Sequence, residues 1–327
     1  MLVPTTMKAW IVPHTGGRDV LEFKDIPVPT VAADQVLVKN SYAGLNFIDS
    51  YFRSGLYPHP MPHIAGREAA GTVVAIGNSV TKFQVGDRVF WMAGGAFAEY
   101  SVISEAGTIG IIPSDIDFKI AAASILQGLT AITQINESYQ VKKGDWILLQ
   151  AAAGGMGLLL AQLMSRIGAR VIGTASTDEK AELAKAAGCE FVINYAVEDY
   201  VAKVKDLTNG SGVNAVFDGV GKSTFDGSFE CLARKGTFVT FGNASGAVPP
   251  FSLTRLSAKN IKITRPTLFQ AIATPEDLTH YTEMLWNAIR DGGLNIKIFK
   301  VYPLADYAAA AEDLEERKSV GKLVLEI

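Results

Sequence analysis

The stretch Trp146-Ile147-Leu148-Leu149-Gln150-Ala151-Ala152-Ala153-Gly154-Gly155-Met156-Gly157 decides the fold. A short apolar run leads into a glycine-rich turn, and a helical pattern follows it to about Ile167. This order predicts a strand, a turn and a helix whose first N–H groups face a bound pyrophosphate. Glycines in such a turn let the backbone approach the phosphate oxygens closely. We therefore expect a dinucleotide cofactor at this turn.

The residues of the turn differ from the dinucleotide-binding motif G-x-G-x-x-G at one glycine position. The first glycine would fall at Ala152, so only Gly154 and Gly157 match. A purely structural glycine turn is the alternative. Cofactor binding is favoured because short apolar runs alternate with helical patterns downstream, which is typical of a doubly wound parallel sheet. The expected strands of this sheet are 146–150, 170–174, 191–194, 215–218, 237–241 and 261–264.

The part of the chain before about Pro113 has a different texture, with short extended runs broken by proline and glycine. It predicts a β-rich domain. After an expected helix at 275–290, strand patterns at 295–302 and 322–327 flank a helix at 305–318 and rejoin this first domain. We thus expect an α/β chain with a catalytic domain at 1–124, completed by 295–327, and a nucleotide-binding domain at 125–294. The expected strands of the first domain are 8–12, 35–41, 70–77, 87–91 and 97–103.

Composition favours a small-molecule partner. The 327 residues are 48% hydrophobic and 19% charged, and the formal net charge is −3, which gives no field to gather nucleic acid or an anionic membrane. The only two cysteines are Cys189 and Cys231, and no secretory signal pattern opens the chain, so we expect a cytoplasmic protein. The uncharged run between Asp145 and Arg166 is about long enough to span a bilayer, but its glycine turn argues against a membrane helix.

The end of the second predicted strand indicates which cofactor is bound. An NAD enzyme usually places a carboxylate there for the ribose 2′-hydroxyl, whereas this chain has Gly173, Thr174, Ala175 and Ser176, followed by Lys180. Ser176 and Lys180 could bond a 2′-phosphate, so NADPH is favoured. Alternatively, Ser176 or Thr177 caps a helix and Lys180 is a solvated charge, and both interpretations can hold together.

Six ordered blocks of sequence resemble one protein family. They lie at 44–58, 66–71, 85–89, 151–157, 241–246 and 264–266. The chain resembles the quinone oxidoreductase, or zeta-crystallin-like, branch of the medium-chain dehydrogenase/reductase superfamily, and is most similar to its yeast NADPH:quinone reductase homologues. The resemblance implies a chaperonin-10-like (GroES-like) catalytic domain, a Rossmann-type NADP-binding domain, an active site between them and a homodimer.

The resemblance also implies which residues form the site. Around the nicotinamide and the substrate it places Asn46, Asp49, Tyr51, Tyr57 and Arg265. Around the rest of the cofactor it places Thr130, Gly154, Gly155, Met156, Gly157, Gly173, Ser176, Lys180, Tyr195, Phe241, Gly242 and Asn243. It places Leu268 and Phe269 against the carboxamide end. Tyr195 on its own is equally explained as an ordinary tyrosine at a sheet edge.

Departures from the metal-dependent relatives predict a site without zinc. Those relatives place a cysteine where Asn46 stands and a histidine where Arg67 stands, and they carry four further clustered cysteines. For Arg67 and Glu68 we expect a simple structural ion pair. His59 and His63 are four residues apart, but Pro58, Pro60 and Pro62 forbid the helix that would align them, so we expect an extended loop and no metal there.

A site without a metal suits a reaction easier than alcohol oxidation. A quinone is electron-poor and becomes aromatic on reduction, so hydride delivery needs positioning and a few donors. We hypothesise that Asn46 and Arg265 polarise the quinone oxygen, that Tyr51 or Tyr57 donates a hydrogen bond or proton, and that Asp49 orients them. The alternatives are packing roles for the two tyrosines and a helix cap for Asp49.

Two other functions stay open from sequence. The same hydride geometry could serve an NADPH-dependent reductase of alkenal or enone double bonds. A crystallin-like or RNA-binding protein with little turnover is the second alternative, although Lys142-Lys143 and Arg234-Lys235 are too short to form a basic stripe. The strand near 261–264 could form a dimer through the edge of the nucleotide sheet.

Overall fold

The structure is a computed structural model that describes residues 3–327. The chain divides into two compact units. One contains the chain up to Leu126 together with Ile298–Ile327, and the other is Gln127–Lys297. The first boundary falls within a long helix, Phe118–Thr133. The boundaries expected from sequence lie two or three residues before these positions.

The second unit is built on a six-stranded parallel sheet with the order β11-β10-β9-β12-β13-β14. This order reverses between β9 and β12, as in the doubly wound dinucleotide fold. The predicted fold class is therefore confirmed. The strands are β9 (Trp146–Leu149), β10 (Arg170–Ala175), β11 (Phe191–Asn194), β12 (Val213–Asp218), β13 (Leu232–Thr240) and β14 (Lys262–Thr264). The helices are α2 (Phe118–Thr133), α3 (Gly155–Ile167), α4 (Asp178–Ala186), α5 (Tyr200–Leu207), α6 (Phe225–Glu230), α7 (Leu268–Ala271) and α8 (Pro275–Arg290).

Burial explains why these strands are apolar runs. Strands of a parallel sheet covered by helices are buried on both faces. Leu148, Ile172 and Val216 are fully buried at the centre of three adjacent strands. Helix α3 ends at Gly168, which adopts the left-handed conformation that glycine tolerates best.

The first unit contains two mainly antiparallel sheets. A three-stranded sheet has the order β2-β1-β4, and a seven-stranded sheet has the order β15-β16-β3-β5-β6-β8, with β7 paired to β3. Helix α1 (Phe47–Ser54) follows β3, and α9 (Tyr307–Glu315) precedes β16. The strands are β1 (Thr6–Val12), β2 (Glu22–Pro27), β3 (Gln35–Gly44), β4 (His63–Ile64), β5 (Ala69–Ile76), β6 (Arg88–Trp91), β7 (Tyr100–Ser104), β8 (Ile109–Ile111), β15 (Ile298–Pro303) and β16 (Lys322–Glu326).

The last strand, β16, inserts between β15 and β3. It pairs antiparallel with β3, with Val324 opposite Gly44 and Leu325 opposite Ala43. The C-terminal segment therefore reaches the end of β3, where the residues of α1 begin. This pairing brings Lys322 to the candidate site described below.

A long apolar helix lies outside the uncharged run that the sequence singles out. Helix α2 continues as a π-helix at Gln134–Ser138, and among the described residues this continuous stretch, Phe118–Ser138, is long and apolar enough to cross a bilayer, with 67% of its apolar window buried inside the protein. The core helix of a globular unit has these properties too. The uncharged run after Asp145 folds as β9, the glycine turn and α3, as expected.

Candidate active site

The glycine turn joins β9 to α3 and has the geometry of a phosphate cradle. Gly154 is the N-terminal cap of α3 in an extended conformation. A Cβ atom at Gly157 would lie 2.3 Å from the carbonyl oxygen of Ala151 and 2.7 Å from the backbone of Ala152, so no side chain fits there. Ala151 itself has a φ of 53°, which is strained for a residue other than glycine. The turn is thus tightly folded against the helix whose N–H groups would face a phosphate.

The end of β10 presents the groups expected to choose the cofactor. Thr177 is the N-cap of α4, and its side chain accepts a hydrogen bond from the backbone N–H of Lys180. The capping alternative is therefore correct for Thr177, which leaves Ser176 just before the helix and Lys180 in its first turn. The side chains of Ser176 and Lys180 are half-buried. Gly173 has a packing reason of its own, because a Cβ there would lie 2.7 Å from the Cβ of Ala152.

Most of the other residues predicted for the site in the second unit follow the carboxyl ends of strands, and three lie in helices. Tyr195 comes directly after β11, is 45% exposed, and its backbone N–H bonds the carbonyl of Ala175 at the end of β10. Arg265 follows β14, and its Nη1 donates to Thr240 Oγ1 at 3.0 Å and to the Gly242 carbonyl at 3.1 Å. Phe241, Gly242 and Asn243 follow β13, Leu268 and Phe269 lie in α7, and Thr130 lies in α2.

A buried hydrogen-bond network supports the cradle from behind. Thr174 Oγ1 donates to Gln150 Oε1 at 2.7 Å and accepts from the backbone N–H of Ala151 at 3.1 Å. Gln150 Nε2 donates to Ser228 Oγ at 2.9 Å, and Ser228 Oγ donates to Asp218 Oδ2 at 3.1 Å. We call the uncharged side chains of Gln150, Thr174 and Ser228 the neutral network, which ends on the Asp218 carboxylate. It holds the strained Ala151 in place.

The catalytic residues expected in the first unit gather at the start of α1. Asn46 is the N-cap of α1, and Asp49 Oδ2 accepts a hydrogen bond from its backbone N–H at 2.9 Å, so Asp49 has the helix-capping role that was the alternative. Burial raises the pKa of Asp49 to about 7. The Asn46 N–H and the cations Lys322 and Arg67 oppose this rise, and Glu68 adds to it. A carboxyl group with such a pKa can hold or release a proton near neutral pH.

Glu68 forms an ion pair, but with a partner other than Arg67. Glu68 Oε1 accepts from Lys322 Nζ at 2.5 Å and from Asn46 Nδ2 at 2.6 Å, and Lys322 Nζ donates to Asn46 Oδ1 at 2.8 Å. We call Asn46, Glu68 and Lys322 the charged network. The expected pairing of Arg67 with Glu68 is therefore wrong; the Arg67 guanidinium lies 5.3 Å from the centre of the Phe52 ring.

Aromatic rings line the face of α1 and the loop after it. The rings of Tyr51 and Tyr57 are 5.0 Å apart and edge to face, and Phe47 lies 6.2 Å from Tyr51. The backbone N–H of Tyr57 donates to the carbonyl of Tyr51, which fixes the loop against the helix. Tyr51 is buried and Tyr57 is half-buried. The structure therefore brings Asn46, Asp49, Tyr51 and Tyr57 together in one unit, while Arg265 belongs to the other.

His59 and His63 lie in the extended loop that the prolines predict. Their rings are 4.5 Å apart, and burial lowers the pKa of both imidazoles. With Asp49 and Arg67 they line a cavity of about 10 Å³, roughly the size of one water molecule. No group of three or more His, Cys, Asp or Glu side chains that could hold a metal ion occurs in residues 3–327.

Comparisons with known proteins cover nearly the whole chain. The family model described as Alcohol dehydrogenase GroES-like domain matches residues 32–114, and the one described as Zinc-binding dehydrogenase matches residues 155–286. A probable quinone oxidoreductase of Schizosaccharomyces pombe is 43% identical over 316 residues, which is 96% of this chain and 95% of that protein. A quinone oxidoreductase of Pseudomonas aeruginosa is 42% identical over 314 residues, 95% of this chain and 96% of that protein.

Solved structures give the same result. The crystal structure of Escherichia coli quinone oxidoreductase complexed with NADPH is 39% identical, with a TM-score of 0.95. The match covers 98% of this chain and 100% of that one.

Sequence reasoning missed two sets of residues at the site. Lys322 was absent from the expected site, because its role depends on how the C-terminal strand returns to β3. Gln150, Thr174 and Ser228 were also missed as a network. The sequence did carry a signal for Gln150 and Thr174, since each is a polar residue at the carboxyl end of an apolar parallel strand.

Proposed function

We propose a function on the premise that this chain belongs to the quinone oxidoreductase branch of the medium-chain dehydrogenase/reductase superfamily. The family models and the relatives that are 42–43% identical confirm the resemblance of the six sequence blocks. The chain is an NADPH-dependent quinone reductase that works without zinc. The observation that carries this proposal is the convergence of the glycine turn, Ser176, Lys180 and Tyr195 on the carboxyl edge of one parallel sheet. Ligands bind at this edge in open α/β folds.

The residues present fit NADPH. The cradle at Gly154–Gly157 has no room for a Cβ at Gly157, as expected where a backbone must lie close to a pyrophosphate. Ser176 and Lys180 would bond the 2′-phosphate, and Tyr195 would lie along the adenosine half. Phe241, Gly242, Asn243 and α7 would hold the nicotinamide half, with Thr130 beside it. When bound, NADPH supplies the hydride.

The first unit would supply the groups that receive and orient the substrate. The rings of Tyr51 and Tyr57 offer apolar faces to a planar quinone, and their hydroxyls can donate to its oxygens. Arg265 would add a cation at the substrate end. Asp49, with a pKa raised to about 7 by burial, can hold the proton that the reaction consumes. Asn46 would contribute through its fixed amide rather than as a freely rotating donor, since both ends of that amide already bond charged groups.

Assembly and location complete the proposal. We infer a homodimer formed through β14, which is the edge strand of the parallel sheet and is open to pairing with a second copy. A cytoplasmic location suits the two buried cysteines, which are unpaired and whose pKa values burial raises to about 12. Such thiols are unreactive. Residues 125–294 then serve as the NADP-binding domain, and 1–124 with 295–327 as the catalytic domain.

Steady-state kinetics test the proposal. NADPH and NADH are each assayed with 9,10-phenanthrenequinone, with a para-quinone and with alkenals. We expect turnover with quinones and a clear preference for NADPH. Activity with alkenals alone would replace the quinone assignment by double-bond reduction. A salt-sensitive RNA complex together with no quinone-dependent NADPH oxidation would favour the binding-protein alternative.

A further inference from the structure

Burying the ion pair between Lys322 and Glu68 lowers the stability of the fold through the loss of hydration. The two side chains are 2% and 0% exposed. Removing each charge from water costs several kcal/mol, and apolar residues of similar size are often equally stable or better. Stability alone is therefore a poor explanation for this pair. The third group it contacts, Asn46, gives a better one.

Hydrogen bonds connect the three side chains pairwise. Lys322 Nζ donates to Glu68 Oε1 at 2.5 Å and to Asn46 Oδ1 at 2.8 Å, and Asn46 Nδ2 donates to Glu68 Oε1 at 2.6 Å. The other oxygen, Glu68 Oε2, accepts from the backbone N–H of Leu126 at 2.8 Å. Each end of the Asn46 amide thus contacts a group of opposite charge.

This arrangement permits only one orientation of the Asn46 amide. An ammonium group can only donate, and a carboxylate can only accept. If the amide were rotated by 180°, its NH₂ group would face the ammonium and its oxygen would face the carboxylate. Both contacts would be repulsive inside a buried site, where charged hydrogen bonds are strong. The two ions therefore hold the amide from both sides.

The surrounding backbone fixes the two ions. A Cβ at Gly44 would lie 2.4 Å from Glu68 Oε1, so only glycine leaves room for the carboxylate. Leu45 N–H donates to the carbonyl of Leu323 at 3.0 Å, next to Lys322 in β16. The strand pairing that brings in the C-terminus thus places the ammonium beside the residue that opens α1.

We propose that Lys322 and Glu68 are positioning residues for quinone reduction, which hold the side-chain amide of Asn46 in a single orientation at the start of α1. This inference rests on the proposed function. Asn46 opens the helix that carries Asp49 and Tyr51, so a rotating amide would loosen the groups that face the substrate. Displacements of this kind lower kcat, because catalysis depends on close alignment of the reacting groups.

Two double variants separate the hydrogen bond from the charges. Glu68→Gln/Lys322→Met and Glu68→Gln/Lys322→Gln both remove both charges, so neither leaves a buried ion unpaired. Only the second retains a donor for Asn46 Oδ1. With NADPH and 9,10-phenanthrenequinone we expect kcat of the Met variant to fall at least about tenfold, which corresponds to about 1.4 kcal/mol. We expect kcat of the Gln variant to fall as well, because glutamine side chains both donate and accept and therefore permit either orientation of the Asn46 amide. The KM for NADPH should stay similar in both.

A second readout does not depend on turnover. In ¹⁵N NMR spectra the side-chain amide of Asn46 should give one sharp pair of signals in the wild type. The pair should broaden in both double variants, because the amide then samples two orientations. If the wild type does not reduce quinones, the proposed function fails, and these spectra still decide whether the two ions orient the amide.

The matched control removes another ion pair of the same unit, whose arginine is buried and whose glutamate is partly exposed. Arg53 Nη2 bonds Glu315 Oε1 at 2.7 Å, and Ser50 Oγ bonds the same oxygen. Arg53→Met/Glu315→Gln should leave kcat near that of the wild type, with urea unfolding used to verify the fold of every variant. A folded Gln variant that keeps the kcat of the wild type would overturn the inference, because hydrogen bonds without charges would then suffice to hold the amide.

Discussion

The two buried polar networks solve similar problems with different chemistry. In the second unit, the neutral network joins the carboxyl ends of the adjacent strands β9, β10 and β12 and holds the backbone of the cradle. In the first unit, the charged network joins three segments far apart in the chain and holds a side chain. A backbone turn needs only donors and acceptors of ordinary strength around it. An amide that could rotate needs partners that make one of its two orientations strongly unfavourable.

The comparison implies that the charged network is far less tolerant of single substitutions. Removing Lys322 alone leaves the Glu68 carboxylate buried without its counter-ion. We therefore expect Lys322→Met to lower the free energy of unfolding by about 3–5 kcal/mol in urea titrations. Lys318→Met, which removes an exposed partner of Glu316, should cost less than about 1 kcal/mol. A similar small loss for Lys322→Met would show that the two networks do not differ in this respect.

Asp49 should make the stability of the protein depend on pH. Burial raises its pKa from 3.8 to about 7, so between these values the folded state holds a proton that the unfolded state has released. Stability is then fully present below about pH 4 and decreases as the pH rises towards 7, with a slope of up to about 1.4 kcal/mol per pH unit from this group. Asp49→Asn should remove that slope.

The pH experiment compares urea unfolding of the wild type and Asp49→Asn at several pH values between 4 and 8. Other groups titrate in both proteins, so the difference between the two curves isolates Asp49. Parallel curves would mean that Asp49 has an ordinary pKa in the folded state and is not a proton reservoir near neutral pH.

A single substitution in the neutral network should have a smaller effect than one in the charged network. Thr174→Val keeps the shape of the side chain, but it leaves Gln150 Oε1 without its donor and Ala151 N–H without its acceptor. A buried polar group left without its partner costs about 1–3 kcal/mol. We expect the KM for NADPH to rise several-fold with little change in kcat.

The control for this substitution is Thr133→Val. Its hydroxyl is buried in the same unit, but it bonds only carbonyls of its own helix, such as Leu129 at 2.9 Å. It should leave the KM for NADPH unchanged. If both valine variants bind NADPH equally well, the neutral network does not support the cradle.

The difference between the networks also explains what the sequence could predict. All six parallel strands were expected, and β11 and helix α8 have the expected bounds, because buried strands and amphipathic helices follow local patterns of apolar residues. The glycine turn, Ser176 and Lys180 were expected from the same patterns, since the carboxyl ends of parallel strands lie on one edge, whereas residues such as Thr130 and Phe269 were expected only from the family resemblance. Strand β13 begins earlier than expected, because pairing with β12 and not composition determines where it begins.

Strands and ion pairs that depend on contacts between residues far apart in the chain could not be predicted from local sequence patterns. The short strands β2, β4 and β8 were missed. Arg67 was assigned to Glu68 because the two are neighbours in sequence, whereas the partner, Lys322, comes from the other end of the chain. The packing of β16 against β3 decides this contact, and no spacing or motif near Glu68 indicates it.

The smallest expected effect is on the preference for NADPH over NADH. Residues of the second unit alone should determine this preference. Lys180 is half-buried in the first turn of α4, so its contact with a 2′-phosphate is partly screened by solvent, and Lys180→Ala should raise the KM for NADPH by about threefold, or about 0.7 kcal/mol. The KM for NADH should not change, because NADH lacks that phosphate. Lys185→Ala, which removes an exposed lysine bonded to Glu182 on the same helix, is the control and should alter neither constant. If Lys180→Ala raised both KM values equally, Lys180 would support the helix and not the phosphate, and selectivity would have to come from Ser176.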